Sequence, residues 1–165
     1  MDQAFTILVV DDSPTQIALL QDALEHKGFT VEKAEDGMEA ITKFYQIEPD
    51  LVLSDIIMPE LNGYHLCRVL KTDPATAQIP VVLLTNLTEQ HDRFWGKNAG
   101  ADLYLEKTSD IPHIADAVEH MLKGRAPSPR KHARSAANLN KDDIQARITN
   151  PGPTAVRVHD FKRNS

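Results

Sequence analysis

Several residue types are scarce in this chain of 165 residues, and each scarcity excludes a class of protein. Cys67 is the one cysteine, so an intrachain disulfide is impossible and a disulfide-stabilised secreted mini-protein is excluded. No apolar run approaches the ~18 residues of a membrane span, and the N-terminus lacks the basic region and cleavage site of a signal peptide. Aromatic residues make up 5%, which predicts an aliphatic core. We therefore expect a cytoplasmic protein without a membrane span.

Positive charge is scarce in the first three-quarters of the chain and abundant in the last quarter. Residues 1–123 carry 9 Lys/Arg against 21 Asp/Glu, a net charge of −12. Residues 124–165 carry 9 Lys/Arg against 3 Asp/Glu, a net charge of +6. An acidic body of this kind disfavours nonspecific binding to nucleic acid. The division predicts an acidic folded domain over 1–123 and a basic tail after it.

Short aliphatic runs alternate with amphipathic helical patterns along the acidic part. The predicted strands are β1 (6–10), β2 (30–34), β3 (51–54), β4 (80–84) and β5 (102–105). The predicted helices are α1 (14–27), α2 (37–46), α3 (63–71), α4 (89–99) and α5 (111–123). Five βα units predict a flavodoxin-like α/β fold, in which a five-stranded parallel sheet of order 2-1-3-4-5 carries helices on both faces.

Polar residues follow four of these apolar strands at the point where each strand ends. Asp11 and Asp12 follow β1, Asp55 follows β3, Thr85 follows β4 and Lys107 follows β5. Ligands of such folds bind at the carboxyl ends of the strands, beside the point where the strand order reverses. Three carboxylates there repel one another unless a cation is bound, and an all-oxygen site suits Mg²⁺. A metal, an ammonium group and a hydroxyl around one carboxylate are the parts that stabilise phosphoryl transfer onto it.

Four segments of the chain agree in order and spacing with one family. They are 8–13 (LVVDDS), 55–63 (DIIMPELNG), 82–85 (VLLT) and 100–107 (GADLYLEK). On these segments the chain resembles the receiver domain of two-component response regulators, of the single-domain chemotaxis and motility type, over residues 5–123. Taken singly, each of these residues is more often part of a solvated turn, a surface charge or a core position than of a functional site, and it is their combination that indicates the family.

The resemblance implies a phosphoacceptor and a metal site. Asp55 would be phosphorylated by a sensor histidine kinase. Asp11, Asp12 and Asp55, with the backbone carbonyl of Ile57, would hold Mg²⁺. Such a receiver phosphorylates itself and dephosphorylates slowly, but it is not an enzyme that exists for turnover.

The resemblance also implies how phosphorylation would be detected and transmitted. Thr85 and Lys107 would contact the phosphoryl group, and Tyr104 would be the aromatic switch that moves inward when Thr85 is drawn to the phosphate. Receivers of this family dock their protein targets on the face formed by α4, β5 and α5. For this chain the implied target is the flagellar motor switch protein or a similar protein.

Three positions depart from the family pattern. Thr108 stands where the family has a proline in a cis bond, and a cis bond before a non-proline residue costs about 2.5–4 kcal/mol. The Lys107–Thr108 bond is therefore either trans or strained. Ile57 and Leu87 occupy the two positions that tune acyl-phosphate hydrolysis in the family, and neither side chain can orient a water. We expect dephosphorylation to take minutes or longer.

The tail divides into a basic linker over 124–138 and a last segment over 139–165. Residues 139–149 have the caps and apolar spacing of one short helix within an otherwise irregular tail. This helix resembles the receiver-binding peptide of the flagellar motor switch protein, and it would dock on the α4–β5–α5 face of its own chain or of a neighbour. The residues predicted to contact the receiver are Leu139, Asp143, Ile144 and Ile148.

Two alternatives to a stand-alone motility receiver stay open. The chain could be the receiver part of a longer regulator whose output domain is missing. It could also respond to cyclic di-GMP through Arg125, Arg130 and Arg134, which resemble the arginine-rich tails of motility receivers. No helix-turn-helix pair fits the tail, so DNA binding is not expected.

Overall fold

The computed structural model describes residues 4–58, 61–85, 100–107 and 110–127. Predicted α4 and the predicted tail helix over 139–149 lie outside these ranges. The described strands are β1 (Thr6–Val10), β2 (Thr30–Ala34), β3 (Leu51–Asp55), β4 (Val81–Thr85) and β5 (Leu103–Glu106). The described helices are α1 (Pro14–His26), α2 (Gly37–Ile47), α3 (Gly63–Thr72) and α5 (Ile111–Leu122). None of them combines the length and apolarity needed to cross a membrane.

The five strands form one parallel sheet of order β2-β1-β3-β4-β5, which confirms the predicted fold. The strand order reverses between β1 and β3, where Ile7 pairs with Leu51. The predicted ends of β3, β4 and β5 each fall one residue short, because Asp55, Thr85 and Glu106 belong to their strands. The polar residues of the candidate site are therefore held by sheet hydrogen bonds or follow directly after them.

Apolar side chains cover both faces of the sheet. On one face, alternate strand residues such as Ile7 and Val82 pack against α1 and α5. On the other face, residues such as Leu8 and Leu83 pack against α2 and α3. The central strands β3 and β4 are buried along their whole length, as expected for parallel strands covered on both sides. The candidate site lies at the carboxyl edge of this buried centre.

Each described helix begins with a residue whose side chain caps its first turn. A cap of this kind is worth about 1 kcal/mol, because it satisfies a backbone N–H group that has no partner within the helix. The caps fix where the short strand-to-helix loops end. The four cap residues are Ser13, Asp36, Asn62 and Asp110, which accept hydrogen bonds from the backbone N–H groups of Gln16, Glu39, His65 and His113.

Candidate functional site

Asp11 and Asp12 lie in the turn between β1 and the cap of α1. The Asp11 side chain is 1% exposed, and its Oδ1 accepts a hydrogen bond of 2.9 Å from the backbone N–H of Ser13. The backbone N–H of Asp11 donates to the carbonyl of Ala34 on β2, at 3.1 Å. These bonds turn Asp11 inward, whereas Asp12 is exposed at the mouth of the site.

Asp55 is the last residue of β3 and is 6% exposed. Its Oδ1 accepts a hydrogen bond of 2.8 Å from the backbone N–H of Ile56, and that N–H also donates to the carbonyl of Leu84 at 3.1 Å. Its Oδ2 accepts a hydrogen bond of 2.9 Å from Lys107 Nζ. Oδ1 of Asp55 is thus held by the next residue of the chain, and Oδ2 is held by Lys107, which follows β5.

Gly63, which sequence reasoning did not single out, allows the β3–α3 loop to close tightly behind Asp55. Its backbone N–H donates to the carbonyl of Ile56 at 2.8 Å. A Cβ atom at this position would lie 2.3 Å from the backbone oxygen of Asp55, a distance that no larger residue tolerates. The glycine in the 55–63 segment was the available signal, because close approach of two backbones is a common reason for glycine.

Lys107 connects the end of β5 to the two buried carboxylates. Its Nζ lies 2.9 Å from Asp55 Oδ2 and 3.1 Å from Asp11 Oδ2. The contact with Asp11 is an ion pair whose angles do not meet hydrogen-bond geometry, since Asp11 Oδ2 has no hydrogen-bond partner among the described residues. The backbone N–H of Lys107 donates to the carbonyl of Thr85 at 2.6 Å. Thr85 is itself buried at the end of β4.

The pKa values of Asp55 and Lys107 are both raised in the folded protein. Burial raises the pKa of Asp55, the contact with Lys107 opposes that rise only in part, and Asp11 adds to it. For Lys107, burial lowers the pKa, but the contacts with Asp55 and Asp11 outweigh burial and leave it raised. Both directions mean that the site favours a proton or another cation.

The donor set fits a hard divalent cation. One carboxylate oxygen from each of Asp11, Asp12 and Asp55 can lie within 4.8 Å of the others. Three carboxylates face one nearby ammonium group, so a net negative charge remains after the ion pairs are counted. Oxygen-only coordination with room for water is what Mg²⁺ prefers, and the buried Asp11 Oδ2 has bonding capacity left.

The structure brings five of the predicted residues to one edge of the sheet, namely Asp11, Asp12, Asp55, Thr85 and Lys107. The Ile57 side chain is 61% exposed and follows directly after the buried Asp55–Ile56 pair. Tyr104 lies on β5 opposite Leu83, packs against the core on the α2–α3 face, and has a buried hydroxyl without a hydrogen-bond partner among the described residues. Outside the described residues are Leu87, Thr108, Leu139, Asp143, Ile144 and Ile148.

Comparison with known proteins identifies the family. The model of the response regulator receiver domain matches residues 7–119. Protein PilH of Pseudomonas aeruginosa is 42% identical over 118 residues, which cover 72% of this chain and 98% of PilH. A gliding motility regulatory protein of Myxococcus xanthus is 40% identical over 116 residues, which cover 70% of this chain but 15% of that protein. The chemotaxis response regulator CheY4 of Vibrio cholerae has a similar solved structure, with a TM-score of 0.69, 27% identity, and coverage of 73% of this chain and 100% of that chain. This chain belongs to the response regulator receiver family.

Proposed function

We propose that this chain is a phospho-accepting receiver, phosphorylated on Asp55 by a sensor histidine kinase in the presence of Mg²⁺. The observation that carries the proposal is the pair of contacts that Lys107 makes with Asp55 and Asp11, beside a third carboxylate from Asp12. Asp55 is the one of the three that lies on the central strand β3 and has its two oxygens held from different sides.

The chemistry follows from this arrangement. An oxygen of the Asp55 carboxylate attacks the phosphorus of a phosphohistidine, the O–P bond forms, and the P–N bond breaks with its electron pair returning to the imidazole. Lys107 transfers its hydrogen bond from the carboxylate to a phosphoryl oxygen, and Thr85 supplies a hydroxyl at the end of the neighbouring strand. Asp11, Asp12, Asp55 and the carbonyl of Ile57 would hold Mg²⁺, which supplies charge neutralisation for the transferred group when it is bound.

Tyr104 and Thr85 form the proposed switch, because they belong to adjacent strands. Thr85 pairs with Glu106 and Leu83 pairs with Tyr104, so a small movement of Thr85 toward the phosphoryl group is passed along the β4–β5 ladder. We propose that this movement changes the α4–β5–α5 face and thereby controls protein partners in chemotaxis or motility. The names of two relatives, a gliding motility regulatory protein and a chemotaxis response regulator, support a motility role.

A specific observation favours the second candidate, a receiver within a longer regulator. The matched region is 15% of the Myxococcus protein and 54% of a DNA-binding regulator, RpaA of Synechocystis, that is 36% identical. The size of the product expressed from the native locus separates the two candidates. An antibody against this chain would detect a product of 165 residues for a stand-alone receiver and a larger one for a longer regulator.

The phosphoacceptor is tested with a small phosphodonor, acetyl phosphate, and Mg²⁺. We expect intact-mass measurement to show one added phosphoryl group on the wild-type chain and none on Asp55→Asn. Asp22→Asn, which changes an exposed aspartate on α1, is the matched control and is expected to behave like the wild type. Full phosphorylation of Asp55→Asn would show that another residue accepts the group.

A further inference from the structure

A groove lies at the pole of the molecule opposite to the carboxylates, where the strands begin. It has a cavity volume of about 510 Å³ and runs between the end of α2 and the loop from α3 to β4. Aromatic and aliphatic side chains form much of its wall, and two carboxylates lie on it. This basal groove is lined by residues that include Phe44, Tyr45, Glu48, Asp50, Gln78 and Ile79.

The chain itself enters this groove after α5. Gly124 has a φ of +81°, a left-handed conformation that turns the backbone sharply after the helix. The backbone N–H of Arg125 then donates to the carbonyl of Leu122 at 3.0 Å, and Arg125 Nη1 donates to the carbonyl of Gln78 at 3.4 Å. Arg125 and Ala126 line the groove. The last described residues therefore direct the tail along the basal groove.

The residues that follow have the composition of a suitable occupant. Residues 127–134 read Pro-Ser-Pro-Arg-Lys-His-Ala-Arg, with three fixed positive charges and no acidic residue. Two prolines favour an extended backbone and lower the entropy that is lost on docking. Glu48 is exposed at the groove, and the whole body carries a net charge of −12 over residues 1–123, from 9 Lys/Arg and 21 Asp/Glu. A tethered segment also has an effective concentration in the millimolar range, which compensates for weak contacts.

We propose that residues 127–134 of this chain dock in the basal groove, continuing the path that Arg125 and Ala126 begin. Docking there holds Arg130, Lys131 and Arg134 at the pole away from Asp11, Asp12 and Asp55. The same cations, left unattached, would be drawn to that net negative cluster and would compete with Mg²⁺. The inference does not depend on Asp55 being the phosphoacceptor.

The test is paramagnetic relaxation in the full chain with a nitroxide label at Lys131→Cys. Burial raises the pKa of Cys67 to about 12, so the native thiol stays unlabelled. We expect strong broadening of the amide signals of Tyr45 and Gln78, and none at Thr15 or Ile57 near the other pole. Broadening that is equal at both poles, or absent from the groove, would overturn the proposal.

Two controls separate this docking from other causes of broadening. The label on a chain without isotope enrichment, mixed with enriched wild type, is expected to broaden nothing, and broadening there would assign the groove to a second molecule instead. Glu48→Lys is expected to reduce the broadening in the groove severalfold, whereas Glu35→Lys, which reverses an exposed acid at the opposite edge, leaves it unchanged. Equal effects of the two reversals would contradict the role of the groove's own charge.

Discussion

At the scale of single residues, Asp55 is a buried carboxylate whose ionised form weakens the fold. Because its pKa is raised in the folded state, Asp55 contributes stability below its unfolded pKa of about 3.9 and loses that contribution as the pH rises through the folded pKa. Without Mg²⁺, Asp55→Asn should therefore increase the free energy of unfolding at pH 7 by about 1 kcal/mol, a common size for single substitutions. Urea denaturation at about pH 7 and about pH 3.5 measures this, and the gain should vanish at the lower pH. A lower free energy of unfolding for Asp55→Asn than for the wild type at pH 7 would contradict this prediction.

Metal binding should depend on the same carboxylates. A bound cation stabilises the folded chain by mass action, so Mg²⁺ should raise the melting temperature of the wild type by a few degrees near neutral pH. Asp12→Asn removes an exposed ligand without opening a buried contact, and it should abolish that increase while leaving the melting temperature without Mg²⁺ nearly unchanged. Because protons compete for Asp55, the increase should also shrink as the pH is lowered. Thermal scans with and without Mg²⁺ at several pH values test both statements, and an unaltered increase in Asp12→Asn would remove Asp12 from the site.

Ile57 sets the expected lifetime of the phosphorylated chain. Its side chain is 61% exposed beside Asp55 and offers no group that could orient a water for hydrolysis. We expect a half-life of minutes or longer, and we expect Ile57→Asn to shorten it by about tenfold, less than the ~100-fold that a fully positioned acid–base group contributes. The decay of the phosphorylated mass after removal of the phosphodonor measures both half-lives, with Ile57→Val as the matched control. A half-life of a few seconds for the wild type would contradict this explanation.

At the scale of elements, the loop between β3 and α3 packs against the backbone of Asp55 and so helps to position the site. Gly63→Ala places a Cβ atom against the backbone of Asp55 and Ile56, and we expect a loss of about 1–3 kcal/mol together with slower phosphorylation. Gly28→Ala is the control: its φ is +90° but no atom lies within 4 Å of the new Cβ, so it should lower stability by about 1–2 kcal/mol and leave the phosphorylation rate unchanged. Chemical denaturation and rates with acetyl phosphate separate the two effects, and equal rates for both variants would argue against a positioning role of Gly63.

The sequence predicts helices and strands well where the spacing of apolar residues determines them. Ile17, Leu20 and Leu24 are spaced for one face of α1, and all three are buried. The strand ends were placed less well, because Asp55 and Thr85 are polar and yet belong to β3 and β4 through bonds to neighbouring strands. The sequence also does not predict the contacts of Lys71. Its Nζ donates to the carbonyls of Ala77 and Ile79 and forms an ion pair with the carboxylate of Asp102. These contacts depend on how the α3–β4 loop and the start of β5 pack against α3, and the spacing of residues along the chain does not predict that packing.

At the scale of the whole molecule, the two ends of the sheet form two separate sites. The carboxyl ends of the strands gather the carboxylates and Lys107, and the amino ends form the basal groove that receives Arg125. The α1 and α5 helices span between the two ends and are joined by Lys27, whose Nζ lies 2.7 Å from Asp116. A tail leaving α5 at the basal end can therefore interact with the body without entering the proposed phosphorylation site.

The last prediction concerns the tail residues beyond the basal groove, whose proposed target is the α4–β5–α5 face. A labelled peptide of residues 138–163 is titrated against the full chain, with and without beryllofluoride and Mg²⁺, where beryllofluoride stands for the phosphoryl group on Asp55. If the peptide prefers the activated face, linkage requires that activation and binding strengthen each other by the same factor, about 5–150-fold for typical couplings. We expect tighter binding with beryllofluoride and no tightening in Asp55→Ala. A tethered tail with the same preference competes more strongly in the activated state and brings the measured ratio closer to one, so the titration is repeated on the full chain with Ile144→Asp and Ile148→Asp, which removes the apolar contacts of its own tail. Binding to that variant that is identical with and without beryllofluoride would leave residues 139–149 with no role in the response.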